Sequence, residues 1–397
     1  MQPTAASVPS QRLASIDAYR GLVMFLMMAE VLRLCEVADR IPASGFWEFL
    51  CLHQSHAAWV GCSLHDMIQP SFSFLVGVAL PFSLASRTAR GQSIFRMSVH
   101  ALWRAILLVV LGIFLRSLGH PSTYFTFEDT LSQIGLGYGV LFLIGLRPTR
   151  DAWIALGLIL VGYWAAFALY PLPGPAFDWS KTGVTPDWEY NLTGFAAHWS
   201  NNTNLAWAFD TWFLNRFPRE HAFTHNDGGY STLSFIPTLG TMILGLVAGR
   251  VLQSGRKPWG KAGLLVTAGA AALAAGFFLG ELGICPVVKR IWTPSWTLYS
   301  GGWCFLILAV SYVIIDMAAF RRWTFPFIVI GMNSIAAYCM DWLFIGFIRK
   351  SLATHLGADS FKLFGEAYAT LVQGVLILLV LWLILFWMYR RKLFLKI

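Results

Sequence analysis

Residues 53–81 read HQSHAAWVGCSLHDMIQPSFSFLVGVALP. Three histidines (His53, His56, His65), Trp59 and Asp66 stand in front of an apolar run that carries no charge from Met67 to Leu84. A run of that length crosses a bilayer as a helix. An ionisable group at its mouth is costly, which makes Asp66 a functional candidate from the outset. Histidine is the side chain most easily poised to move protons near neutral pH. Polar chemistry is therefore expected at one face of a membrane.

The rest of the chain extends that pattern. Of 397 residues, 57% are hydrophobic and 12% are charged, about half the charged share of a soluble domain. The expected class is an all-α polytopic membrane protein forming one transmembrane domain. Ten spans are expected, at about 22–34, 67–86, 105–118, 131–146, 152–170, 233–251, 262–279, 296–317, 325–345 and 367–388. The small residues of the seventh suit close helix packing.

The net charge of +9 is concentrated in short loops rather than in a nucleic-acid-binding face, so no nucleic-acid partner is expected. The loop RTARGQSIFRMSVHALWR (87–104) holds Arg87, Arg90, Arg96 and Arg104 with no acid, and Arg147, Arg150, Arg256, Lys257, Arg321 and Arg322 mark further loops of one side. By the positive-inside rule these are cytoplasmic, as are both termini. Segments 36–65, 119–130 and 171–230 fall on the other side. The first of these is the expected catalytic loop. The last is the long one, whose tryptophans argue for an ordered lid or binding surface. No cleavable signal peptide is expected at the N-terminus. The six cysteines lack zinc-type spacing. Cys51 and Cys62 are expected either as a disulfide of an extracytoplasmic loop or as free thiols.

Six segments in order resemble one family. RLASIDAYRG (12–21) resembles the opening of the heparan-α-glucosaminide N-acetyltransferase family and its bacterial relatives. HAAWVGCSLHDMIQPSFSFLVG (56–77) resembles that family's pattern of histidine, tryptophan, glycine, aspartate, proline and phenylalanines nearly position for position. DTLSQIGLGYG (129–139), STLSFIPTLGTMILGLVAG (231–249), KRIWTPSWTLYSGG (289–302) and GMNSIAAYCM (331–340) are similar to further segments, so the resemblance covers residues 12–340. It implies an integral-membrane enzyme with its active loop extracytoplasmic, on the periplasmic side of a bacterial inner membrane or lumenal in a eukaryotic organelle. That enzyme would move an acetyl group from cytosolic acetyl-CoA to an amino-sugar or glycan acceptor across the lipid bilayer. Oligomeric state is left open between a single chain and a homodimer.

The resemblance places the catalytic histidine at His56. A glucosamine ammonium must lose a proton before it attacks a thioester, and a neutral imidazole accepts that proton. The alternative is that His56 itself carries the acetyl group. Asp66 would hold the imidazole tautomer. Val31 stands where the family has asparagine, and the neighbouring Glu30 is the expected replacement partner.

Arg20 and Asp17 are expected at the donor phosphates or, equally, as an ion pair at a helix start. Arg104 and Arg116 are expected to share that work, Arg104 equally as a plain positive-inside residue. Gln133 is a further expected donor-binding residue, and Asn333 and Ser334 are expected either to line the donor channel or, equally, to hydrogen-bond a neighbouring helix. Trp59, Asp227, Lys289 and Trp292 are expected on the acceptor side, although for Lys289 an interfacial anchor is an equal reading. No bound metal is expected. The rival metal sets are His53, His56, His65 and Asp66, and His221, His225 and Asp227. The rival function is a multi-span transporter of a sugar or glycan precursor that uses His56 and Asp66 as a proton relay.

Overall fold

The computed structural model describes residues 13–395, which form an α-helical bundle without named strands. Seven helices are long and apolar enough to cross a membrane: His65–Ala89, Ile94–Arg116, Thr149–Ala168, Thr232–Gln253, Pro258–Glu281, Pro294–Met317 and Glu366–Arg390. A bent pair, Arg322–Gly331 with Ser334–Leu356, gives an eighth if it counts as one span. The chain is an integral membrane protein.

In chain order the α-helices are α1 (Ala14–Met28), α2 (Leu34–Arg40), α3 (Gly45–Gln54), α4 (Ile68–Ala89), α5 (Ile94–Arg116), α6 (Thr130–Gly145), α7 (Thr149–Ala168), α8 (Leu205–Phe213), α9 (Phe235–Gln253), α10 (Pro258–Glu281), α11 (Pro294–Ser311), α12 (Phe325–Gly331), α13 (Ser334–Leu356) and α14 (Ala369–Arg390).

Among the described residues, seven or eight helices, rather than ten, have the length and apolarity of a span. The fourth expected span is α6, which at 16 residues rises about 24 Å against a hydrocarbon core of about 30 Å. The first is displaced toward the N-terminus. Its helix opens at Ala14 because the Asp316 carboxylate accepts the free N–H groups of Ala14 and Ser15, at 3.1 and 3.2 Å. It gives way to a 3-10 turn at Ala29–Leu32, and Arg33 then takes a left-handed conformation (φ 49°) that starts α2. The ninth is broken: α12 and α13 meet at 69°. Asn333 sits at the break, where its side chain donates to Leu393 O and accepts from Leu395 N, tying it to the C-terminal segment.

Glycine sets how closely the central helices approach. A Cβ on Gly77 of α4 would overlap the backbone of Met242 and Leu246 in α9. Gly245 and Gly249 of α9 abut the backbone of Phe74 and Val78 in return. Gly269, Gly276 and Gly302 do the same between α10 and α11. Leu102, Ile106 and Val110 of α5, Leu158 and Val161 of α7, and Leu379 and Leu383 of α14 turn outward, as lipid-facing side chains do.

A second, smaller core joins the loops at one end. Trp59, Trp199, Val288 and Ile291 pack there with Tyr163 and Phe167 of α7, and Trp59 donates its indole N–H to Trp199 O at 3.0 Å. An antiparallel bridge between Val60 and Val288, with Gly61 N–H donating to Val287 O, brings the segment before α4 beside the segment before α11.

The Cys51–Cys62 pairing does not form. Cys51 is bonded to Cys35, because α2 and α3 fold back on each other and bring their Cα atoms to 4.5 Å. Cys62 is free and burial pushes its thiol up to about 12, so it stays protonated at neutral pH. Thiol titration of unreduced, denatured protein should therefore count four of the six cysteines. A count of six would contradict the Cys35–Cys51 bond.

Candidate active site

His56 lies in the loop between α3 and α4, and Asp66 in the 3-10 turn that starts the following helix. Their ten-residue separation closes into a contact of 2.7 Å between His56 Nδ1 and Asp66 Oδ1. The opposite oxygen, Asp66 Oδ2, accepts Ala57 N–H and Ser63 N–H at 3.0 Å and the Ser63 hydroxyl at 3.1 Å. Lys289, delivered by the Val60–Val288 bridge, places Nζ 3.1 Å from Asp66 Oδ1 and 3.0 Å from His56 Nδ1. With donors on both oxygens Asp66 acts as an acceptor only, so the Nδ1 proton of His56 is directed to it. The Lys289 ammonium donates to the same oxygen. Nε2 keeps its lone pair, and among the described residues it has no hydrogen-bond partner.

Burial lowers the His56 pKa below its ordinary value, and the Lys289 charge lowers it further against the pull of Asp66. The imidazole is therefore neutral, as a base must be. Burial also draws Lys289 below the usual ammonium range, against the attraction of Asp66. A second pair stands alongside: His65 Nε2 is 2.8 Å from Glu30 Oε1, and the His65 and His56 rings are 4.6 Å apart.

These groups line one cavity of about 390 Å³, together with Arg116, Glu128, Asn226, Tyr230, Tyr338 and Asp341. A second cavity of about 610 Å³ runs from Arg20, Arg87, His100 and Arg104 along Met24, Leu75 and Leu80. Phe72, Thr130 and Tyr338 line both. One end of this path is basic, its middle is apolar, and its other end is the His56–Asp66 dyad. At the junction Tyr338 donates its hydroxyl to Asp129 Oδ2 at 2.6 Å, while the Arg116 guanidinium sits over the Trp342 ring.

The sequence-derived residues divide by place. His56, Glu30 and Lys289 line the outer cavity, with Asp66 buried behind them. Arg20, Arg104 and Ser334 line the inner one, where Arg104 donates to the Tyr138 hydroxyl at 3.2 Å. Asp17 lies 3.6 Å from Arg20 in an i,i+3 ion pair and lines neither cavity. Gln133 is buried outside both cavities, its amide donating to Phe127 O, Ser231 O and Thr232 O. Asn333 is occupied by the C-terminal segment, as described above.

Trp59 is in the smaller core. Trp292 is buried too, its indole N–H donating to Thr241 Oγ1 at 3.1 Å. Asp227 is fully exposed beside His225, outside the outer cavity. His53 accepts Leu64 N–H, and among the described residues no group of three His, Cys, Asp or Glu side chains is arranged to hold a metal ion.

Glu128, Asn226, Tyr230, Tyr338 and Asp341 were missing from the expected set, and Arg116, expected with Arg104 at the donor phosphates, lines the outer cavity instead. A signal existed for Asp341, a lone acid inside the ninth apolar run, and helical spacing puts Tyr338 one turn before it. Asn226 and Tyr230 gave none, since only the fold of the long loop carries them to the dyad.

No family model matches the chain. The human heparan-alpha-glucosaminide N-acetyltransferase is 26% identical over 364 residues, covering 82% of this chain and 52% of that protein. The mouse protein of the same name is 24% identical over a 437-residue alignment that covers 100% of this chain and 62% of the relative. The chain thus spans between half and two thirds of the length of these curated relatives.

Proposed function

We propose that this chain, which belongs to the heparan-α-glucosaminide N-acetyltransferase family, is a membrane acetyltransferase. It takes an acetyl group from cytosolic acetyl-CoA and places it on the amino group of a glucosamine-type sugar at the opposite face. The observation that carries this reading is the pair of cavities meeting at Phe72, Thr130 and Tyr338, arginines at one end and a neutral imidazole at the other.

The inner cavity fits the donor. Arg20, Arg87 and Arg104 suit the diphosphate and 3′-phosphate of CoA. The apolar wall of Met24, Leu75 and Leu80 suits the pantetheine arm, whose thioester then reaches the junction. In the outer cavity His56 Nε2 takes a proton from the acceptor ammonium, and Asp66 steadies the imidazolium that results. The freed amine attacks the thioester carbonyl, a C–N bond forms, and the C–S bond breaks. The CoA thiolate leaves and is protonated; overall, ammonium and thioester give amide, thiol and one proton. Lys289, beside the dyad, keeps His56 from charging too early.

The positive-inside rule supports a cytoplasmic position for the turn around Arg87, Arg90 and Arg96, and with it an outside position for His56. The Cys35–Cys51 bond lies at the His56 end, and a disulfide suits an oxidising compartment such as the periplasm. Cysteines introduced at exposed Arg90 and Asp227, in a background without free thiols, should react with an impermeant reagent from opposite faces. Labelling of both from outside would reject this orientation.

Incubating the purified protein with labelled acetyl-CoA and glucosamine should transfer the label. Glucosamine uptake into vesicles without acetylation would favour the transporter instead.

A further inference from the structure

The charged groups around the outer cavity pair off almost completely. Lys289 and His56 are matched by Asp66, and Glu30 by His65. Arg116 lies 3.6 Å from Asp129 and beside Glu128. Asp341 is different. It projects from α13 into the cavity between Tyr338 and Trp342, one helical turn along, and all three line it. Its Oδ1 is shielded from solvent and accepts no hydrogen bond, and no ion pair reaches its carboxylate among the described residues. A shielded carboxylate without a partner is costly, and a cation in the cavity would relieve that cost. Glu30 faces the same space with more than half of its side chain exposed, so two carboxyl groups border the empty region from two directions.

The acceptor brings the missing cation. Before His56 removes a proton, a glucosamine-type amine is an ammonium with three N–H donors, and a neutral hydroxyl in its place offers no charge. We infer that Asp341, with Glu30 beside it, is the specificity-determining carboxylate that receives the acceptor's ammonium in the His56 cavity, selecting amino sugars over neutral sugars. This rests on the acetyltransferase reading above and adds to it the group that recognises the amine. The carboxylate holds the protonated amine near His56, and removal of one proton by Nε2 then leaves the neutral amine free to attack.

The test uses the purified full-length protein and the variant Asp341→Asn, which keeps shape and removes charge. The KM for glucosamine should rise at least about tenfold, as expected when one member of a buried charge pair is lost. The acetyl-CoA Kd should stay unchanged, which also certifies the fold. In donor-free calorimetry wild-type protein should bind glucosamine at least about tenfold more tightly than glucose, and Asp341→Asn should lose that preference. An unchanged glucosamine KM and preference in a variant that binds acetyl-CoA normally would overturn the assignment. Should the variant fail to bind acetyl-CoA, the wild-type comparison decides: equal affinity for glucosamine and glucose overturns it, and the tenfold preference supports it. Absence of acetylation by the wild-type protein would strike the acetyltransferase reading instead, while the donor-free comparison would still judge Asp341.

Discussion

Replacing His56 by alanine should lower kcat for glucosamine acetylation by about 10²- to 10⁴-fold, the usual contribution of a positioned base, and leave acetyl-CoA binding intact. The lone pair on Nε2 is what the substitution removes. The donor cavity, lined by Arg20, Arg87 and Arg104, lies on the far side of Phe72 and does not depend on it. If His56 carries the acetyl group covalently, the loss should be deeper, because no parallel route remains, and acid-quenched enzyme should show an acetylated peptide containing His56.

The neighbouring histidines serve as controls with different expected outcomes. His53 bonds Leu64 N–H and sits edge-on to Phe49, away from the cavity, so His53→Ala should cost little. His65 lines the cavity and holds Glu30, so His65→Ala should fall between the two. Equal losses at all three, together with inactivation by a chelator, would point to a metal centre and remove His56 from its role.

Much of the fold was legible because a bilayer imposes length and apolarity on each span, as in the uncharged run from Met67 to Leu84. Three features escaped. The start of α1 is set by Asp316, some 300 residues away, which caps Ala14 and Ser15. The bend at Asn333 hides inside a continuous apolar stretch because the bonds that hold it come from residues 393 and 395. The disulfide partner of Cys51 depends on how α2 and α3 fold together, which spacing does not reveal.

At the site, the His56–Asp66 pair was readable because both belong to one short segment, whereas its third member reaches it only through the Val60–Val288 bridge. Trp59 and Trp292 carried the strongest aromatic signal and stand in the core, since large rings beside a polar loop serve packing as readily as recognition. Asp341 was the opposite case: one acid in an apolar run, easily passed over as a helix residue, in a place where a charge has no structural reason to be.

The two partners of His56 should shift its titration in opposite directions. Activity requires the neutral imidazole, so the acid limb of kcat/KM against pH reports the pH at which His56 loses its proton. In the intact site that limb lies below the ordinary histidine value, because burial and the Lys289 charge outweigh Asp66. Lys289→Met removes a positive neighbour 3.0 Å from Nδ1, the imidazolium becomes easier to form, and the limb should move to higher pH. Asp66→Asn removes the charge that stabilises the imidazolium, and the limb should move to lower pH. The Asn variant should also lose far more rate, since Ala57 N–H and Ser63 N–H hold the amide oxygen, the amide NH2 turns its hydrogens toward Nδ1, and the imidazole changes tautomer or turns away.

Stability should follow a different order from pH. Asp66→Asn strands Lys289 in the interior, where an uncompensated buried charge costs about 3–5 kcal/mol. Lys289→Met leaves Asp66 with donors from His56, Ala57 N–H and Ser63, and should cost less. Thermal melts of the detergent-purified variants and pH profiles on glucosamine measure both. Limbs that move the same way, or a Lys289→Met protein whose limb does not move, would show that the ammonium does not tune the imidazole, leaving Lys289 as packing around Asp66.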